Sequence, residues 1–142
     1  MESILKEKLW KYIVHNNPNL MFDLQEDYSV STYLDEKVNG IRPLIDRLLS
    51  DGEPGNAIEE TCLNALTEEL KPSRFLYLRS ILEDEFEDQY NEFREAGILT
   101  YEVVNLITHC KEIFEHFGFT VENEEDPDLR NAVIGQVAGY LT

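Results

Sequence analysis

Apolar residues recur three or four positions apart along nearly the whole sequence, and this spacing limits the fold more than any other feature. Such spacing places the apolar side chains on one face of an α-helix. Alternation of apolar and polar residues, which is typical of a strand, never persists for more than a few positions. The sequence therefore predicts an all-α protein.

The apolar stripes divide the chain into a small number of helices. They cover residues 4–13, 30–49, 58–70, 75–93, 103–117 and 129–141. Gly40 and Pro43 interrupt the second stripe, which predicts a kinked helix or two helices in line. Amphipathic helices bury their stripes against one another. At 142 residues we therefore expect a single domain over 1–142, a compact multi-helix bundle of about six helices without an internal repeat.

Several helix ends are marked by capping residues. Asn56 followed by Glu59 resembles a capping box at the start of the third stripe. Gly97 follows the fourth stripe as a candidate C-cap, since glycine adopts the left-handed conformation that ends many helices. Asp126 followed by Pro127 predicts the start of the last helix, with the aspartate as cap and proline at the first helical position.

Charge restricts the classes of partner. The chain has 29 Asp and Glu against 12 Lys and Arg, for a net charge of −17. Nucleic acid binding depends on Lys and Arg that neutralise phosphates, so direct binding to nucleic acid is not expected. An anionic membrane surface is repelled for the same reason. The charge permits a basic protein partner, or serves solubility alone.

The chain has no apolar run of membrane-spanning length, and its first ten residues lack the apolar core of a signal peptide. We therefore expect a cytoplasmic protein. Cys62 and Cys110 both lie within apolar helical patterns. We expect two buried, reduced thiols, since disulfides are rare in the cytosol.

The segment from Pro72 to Ala96 carries a one-sided concentration of carboxylates. If it forms a single helix, its acidic residues lie opposite the apolar stripe, with little neutralisation by bases. Like charges four positions apart on a helix repel each other, and tolerating several such pairs is compatible with a binding face. The residues expected to bind a partner are Asp84, Asp88, Glu92 and Glu95. The other interpretation of the same pattern is a merely solvated face, which any acidic protein presents.

The sequence contains only one group of residues that suggests a metal site, and none that suggests a catalytic site. His109, Glu112 and His116 share a helix face, and two imidazoles with a carboxylate suit a transition metal. A di-iron bundle needs a second such motif and two more carboxylates, which the sequence lacks. No nucleophile motif, phosphate loop or dinucleotide fingerprint is present. We therefore expect no catalytic residues, no cofactor and no metal.

Three stretches of the sequence resemble a small family of all-helical proteins of unknown function from Bacteroidetes. In that family a Leu-x-x-Tyr-Leu segment precedes His-Pro-x-Leu. The similar stretches are Leu9–Ile13 with Asn17–Leu20, Leu66–Phe75 with Leu82–Phe86, and Asp126–Leu129 with Gly135 and Tyr140–Leu141. The resemblance implies an all-helical fold and a gene often carried near conjugative, mobile elements. It implies no activity and no site residues.

Three functions remain as hypotheses. The first is a non-enzymatic acidic module that binds a protein partner, basic or a second copy of itself, through the acidic face or an apolar groove. The second is an inhibitor that imitates the charge of nucleic acid and blocks a DNA-binding defence protein. The third is a metal-binding helical bundle centred on Glu112 and His116.

Overall fold

The computed structural model describes all residues, 1–142, and contains helices and no strand. The all-α class is therefore confirmed. There are ten α-helices: α1 (Glu2–Asn16), α2 (Pro18–Glu26), α3 (Val30–Gly40), α4 (Arg42–Ser50), α5 (Gly55–Thr67), α6 (Arg74–Glu85), α7 (Glu87–Glu95), α8 (Leu99–His109), α9 (Lys111–Phe117) and α10 (Pro127–Leu141). Short 3-10 turns cover Glu68–Leu70 and Val121–Asn123. The expected number of about six helices is wrong.

Single-residue breaks account for most of this difference. Three expected helices are each divided, at Ile41, Phe86 and Cys110, and α2 was not expected at all. At Phe86 the backbone has φ −135° and ψ 52°, yet its N–H still bonds to the carbonyl of Leu82 at 2.9 Å. A break of one residue leaves the apolar spacing almost unchanged. The hydrophobic pattern alone therefore does not reveal it.

The chain divides into two compact units, Met1–Leu70 and Lys71–Thr142. Each unit has its own cluster of buried apolar side chains. The single domain over residues 1–142, expected from chain length, stays a prediction.

In the first unit, α1 packs against α2, α3 and α5. Its side chains Leu5, Leu9 and Ile13, spaced four apart, are completely buried. Burying one Leu or Ile side chain contributes about 1.5–3 kcal/mol relative to leaving it exposed. The stripe of α1 thus supplies the centre of this core, as its spacing predicts.

In the second unit, α6 packs against α7 and α8, while α10 packs against α8 and α9. Leu78, Leu82 and Phe114 are completely buried in this core. The apolar stripe expected to continue to Phe93 does not do so, because the break at Phe86 rotates α7. Tyr90 is buried instead, and Phe93 is only partly buried.

The two units repeat the same backbone course, although no repeat is visible in the sequence. Asn17 and Phe86 end α1 and α6 with nearly identical dihedral angles, φ −137° and −135°, ψ 57° and 52°. Ile41 and Cys110 match as closely, at φ −105° and −98°. Both pairs are separated by the same distance along the chain, 69 positions. The last helix departs from the repeat, because α5 packs against α1 whereas α10 packs against α8.

Two of the three expected caps are confirmed. Asp126 caps α10 by accepting the N–H of Asp128 at 2.9 Å, with Pro127 at the first helical position. Gly97 follows α7 at φ 74°, in the left-handed conformation. The capping box at Asn56 is wrong, because Pro54, two residues earlier, occupies the N-cap position of α5, and Glu59 instead pairs with Lys8.

Candidate partner-binding face

Three of the four predicted site residues share one side of α7. Asp88, Glu92 and Glu95 are four and three positions apart, which places them within an arc of about 60° at 100° per residue. All three are exposed. Tyr90, on the opposite side of the helix, is buried in the core of the unit. The burial of Tyr90 therefore determines which way these three carboxylates point.

Asp84 does not share a helix with the other three. It belongs to the last turn of α6, and the break at Phe86 separates it from α7. Its carboxylate lies 3.7 Å from the guanidinium of Arg130 on α10, which also contacts Glu85 at 3.2 Å. The expectation of one continuous acidic helix from Pro72 to Ala96 is therefore wrong. We call the exposed side of α7 that carries the other three carboxylates the α7 face, and Asp84 lies outside it.

The carboxylates of the α7 face have no ion-pair partner. In the first unit, Lys and Arg side chains from α1, α3 and α4 are paired with acids of other elements. The pairs are Lys6–Asp35, Lys8–Glu59, Lys37–Glu69 and Arg42–Glu2. In the second unit only Arg130 joins two helices in this way. Its 15 acidic residues stand against six basic ones, so most of its negative charge is uncompensated.

The helix dipole acts differently on the members of the α7 face. Asp88 lies in the first turn of α7, where the dipole stabilises a negative charge. Glu92 and Glu95 lie towards the last turn, where the dipole destabilises it. Arg94, the one base within α7, stands over the ring of Tyr90 at 5.8 Å from the centroid. Local helix energetics therefore do not explain the two glutamates.

A pocket of about 470 Å³ lies between α6 and the residues at the start of α10, and the sequence did not predict it. Its lining residues are Leu76, Tyr77, Ser80, Glu124, Glu125 and Arg130. The Tyr77 hydroxyl is buried without a hydrogen-bond partner, and burial raises the pKa of Tyr77. The pocket brings α6 together with the start of α10, about 50 residues away along the chain. No local sequence signal identifies such a pairing.

The predicted metal constellation is spread over two helices. His109 ends α8 and packs its ring against Tyr140, at 4.5 Å between centroids, while Glu112 and His116 belong to α9. No three His, Cys, Asp or Glu side chains in the chain are grouped so that they could hold a metal ion. The hydroxyl of Tyr140, whose ring contacts His109, donates a hydrogen bond to Glu102 at 2.9 Å. These contacts give His109 a packing role.

Both thiols are free and completely buried, as expected. Burial raises the pKa of Cys110 to about 11, and it raises the pKa of Cys62 as well. A thiol is nucleophilic only as the thiolate. Neither cysteine is therefore equipped as a nucleophile at neutral pH.

No family model, no curated protein and no solved structure matches the chain. None of the ten helices combines the length and the apolarity that crossing a membrane requires.

Proposed function

We propose that the chain is a non-enzymatic interaction module that binds a basic protein partner through the α7 face, with Asp84 at its margin. The proposal rests on the exposure and the missing counter-charges of Asp88, Glu92 and Glu95. They are exposed on one side of one helix and have no ion pair within the chain. Glu92 and Glu95 are placed against the helix dipole, so the face is not explained by the stability of α7.

The expected mode of binding is electrostatic. Lys and Arg side chains of a partner would replace the missing counter-charges along α7, and the negative field of the chain would accelerate the encounter. Such an interaction weakens with salt, because exposed charges are screened over about 8 Å at physiological ionic strength. A cytoplasmic location and the absence of catalysis belong to the same proposal.

The test compares two charge-reversed variants of equal net charge. In the first, Asp84, Asp88, Glu92 and Glu95 are changed to Lys. The control changes four exposed, unpaired acids of the first unit to Lys. These acids are Glu7, Asp46, Asp51 and Glu53. Each variant and the wild type are used as bait in the lysate of the native cell, at low and high salt, after circular dichroism has confirmed their helicity.

We expect one basic protein to be retained by the wild type and the control. It should be lost from the face variant and at high salt. Equal loss from both variants would mean that only net charge matters, and would contradict the proposal. Retention by the face variant would exclude α7 as the site.

The same experiment also tests the nucleic-acid mimic and self-association. Recovery of the chain itself would indicate self-association. Recovery of a DNA-handling protein in the salt-sensitive fraction would support the mimic. The break at Phe86 shortens the regular array of carboxylates to α7, which spans about 13 Å at 1.5 Å per residue. The mimic therefore gains no structural support of its own.

A further inference from the structure

Tyr28 is the one residue other than glycine with a positive φ, at 54°. It follows α2 and is held in a Schellman motif. Its own N–H bonds to the carbonyl of Gln25 at 3.2 Å, and the N–H of Ser29 bonds to that of Leu24 at 2.9 Å. The left-handed conformation costs a residue with a side chain about 1–2 kcal/mol.

The other helix ends of this type in the chain have glycine at the same position. Gly52, Gly97 and Gly118 follow α4, α7 and α9 with φ of 73°, 74° and 63°. Each is followed by a residue whose N–H bonds back across the helix end, as Ser29 does. Gly97 is the repeat counterpart of Tyr28, 69 positions later in the chain. The backbone at Tyr28 therefore suits glycine, which this fold uses elsewhere.

The side chain of Tyr28 gains nothing in return within the chain. It is 96% exposed, the largest exposure among the bulky hydrophobic residues. A tyrosine usually stabilises the fold by burying its ring or by forming a hydrogen bond with its hydroxyl. Lys37 and Arg94 stand over the rings of Tyr33 and Tyr90, but no cation of the chain stands over Tyr28.

The charged residues next to Tyr28 indicate which kind of chemical group its ring can bind. Asp23, Glu26 and Asp27 precede it, all are exposed, and none has an ion pair. A tyrosine ring has a negative face that attracts a guanidinium or ammonium group, and the neighbouring carboxylates add to that attraction. Tyrosine is also enriched at the centres of protein interfaces.

We infer that Tyr28 is a binding residue, and that its occupant is an arginine side chain presented by a basic protein surface. The guanidinium stacks on the exposed ring while Asp27 and Glu26 supply the counter-charge. This inference goes beyond the proposed function, because Tyr28 belongs to the first unit and the α7 face belongs to the second.

The test uses a tetra-arginine peptide with blocked ends as the probe. Binding is followed by the amide resonances of Asp27 to Ser29. The internal comparison is Asp51 to Glu53, because the Gly52 turn has the same left-handed conformation and two exposed acids but lies away from the α7 face. We expect saturable shifts at the Tyr28 turn that exceed those at the Gly52 turn. Tyr28→Phe should retain them, because the ring is kept. Tyr28→Gly should weaken binding about two- to fivefold at this turn and raise the thermal midpoint, because the backbone strain is relieved.

Unchanged binding by Tyr28→Gly would overturn the inference, since the carboxylates alone would then hold the peptide. Equal shifts at both turns would overturn it too. The experiment is repeated with the variant in which Asp84, Asp88, Glu92 and Glu95 are lysine. Shifts that persist at the Tyr28 turn in this variant support Tyr28 even if the α7 face binds nothing. Loss of all shifts in this variant would mean that the Tyr28 turn does not bind by itself.

Discussion

Arg130 reaches from the first turns of α10 to Asp84 in the last turn of α6, at 3.7 Å between guanidinium nitrogen and carboxylate oxygen. It also contacts Glu85 at 3.2 Å. Arg130 is the one base of the second unit that forms ion pairs with another helix. Asp84 therefore has a counter-charge within the chain, whereas the carboxylates of the α7 face have none.

We predict that Arg130→Gln lowers the free energy of unfolding by no more than about 1 kcal/mol, because the paired side chains are all substantially exposed. A double-mutant cycle with Asp84→Asn, measured by urea unfolding, should give a coupling that shrinks as salt is added. A coupling of several kcal/mol that salt does not change would show that the pair is shielded from water.

A second prediction concerns the pH dependence of stability. In the folded protein the pKa of Cys110 is about 11, above its ordinary value of 9.0. Between these two values the unfolded chain loses the proton first, so stability falls as pH rises from about 9 to about 11. Below pH 9 the contribution is constant. Urea unfolding of the wild type and of Cys110→Ala from pH 7 to 11 should show a steeper decline in the wild type. Parallel curves would mean that the thiol ionises as easily in the folded state.

A third prediction concerns the cap of α6. The Ser73 hydroxyl accepts the N–H of Leu76 at 3.0 Å. Ser73→Ala should lower the free energy of unfolding by about 0.5–2 kcal/mol, because a helical N–H loses its acceptor. Ser80→Ala, at an exposed position inside the same helix, is the matched control and should be neutral or slightly stabilising. Equal effects in thermal or urea unfolding would contradict a capping role for Ser73.

The glycines allow a fourth prediction with opposite signs. Gly135 lies inside α10, and a Cβ atom there would meet nothing within 4 Å. Gly135→Ala should therefore stabilise the protein by about 0.5–1 kcal/mol. Gly97→Ala should destabilise it by about 1–2 kcal/mol, because φ at that position is 74°. Differential scanning calorimetry of the two variants should show midpoints that move in opposite directions.

Residues close together in the sequence predicted several features correctly, although the capping box at Asn56 was wrong. The stripe of α1, the cap at Asp126, the glycine after α7 and the burial of the thiols were all predicted from neighbouring residues. The breaks at Phe86 and Cys110 were not. Neither residue is a glycine or a proline. Each still donates its N–H to the carbonyl four residues before it and accepts the N–H of the residue four positions after it. The face predicted across Asp84 and Asp88 was lost for that reason.

Local chemistry therefore established the helical class, the acidic surface and the helix ends at Gly97 and Asp126. These features depend on spacing, propensity and capping, which act over a few residues. Packing against other helices established the rest, because only contacts between distant segments determine which ring is buried. Tyr90 is buried, and this orients α7. Arg130 on α10 pairs with Asp84 on α6. Both units follow the same backbone course, and Tyr28 occupies the left-handed position at which the second unit has Gly97.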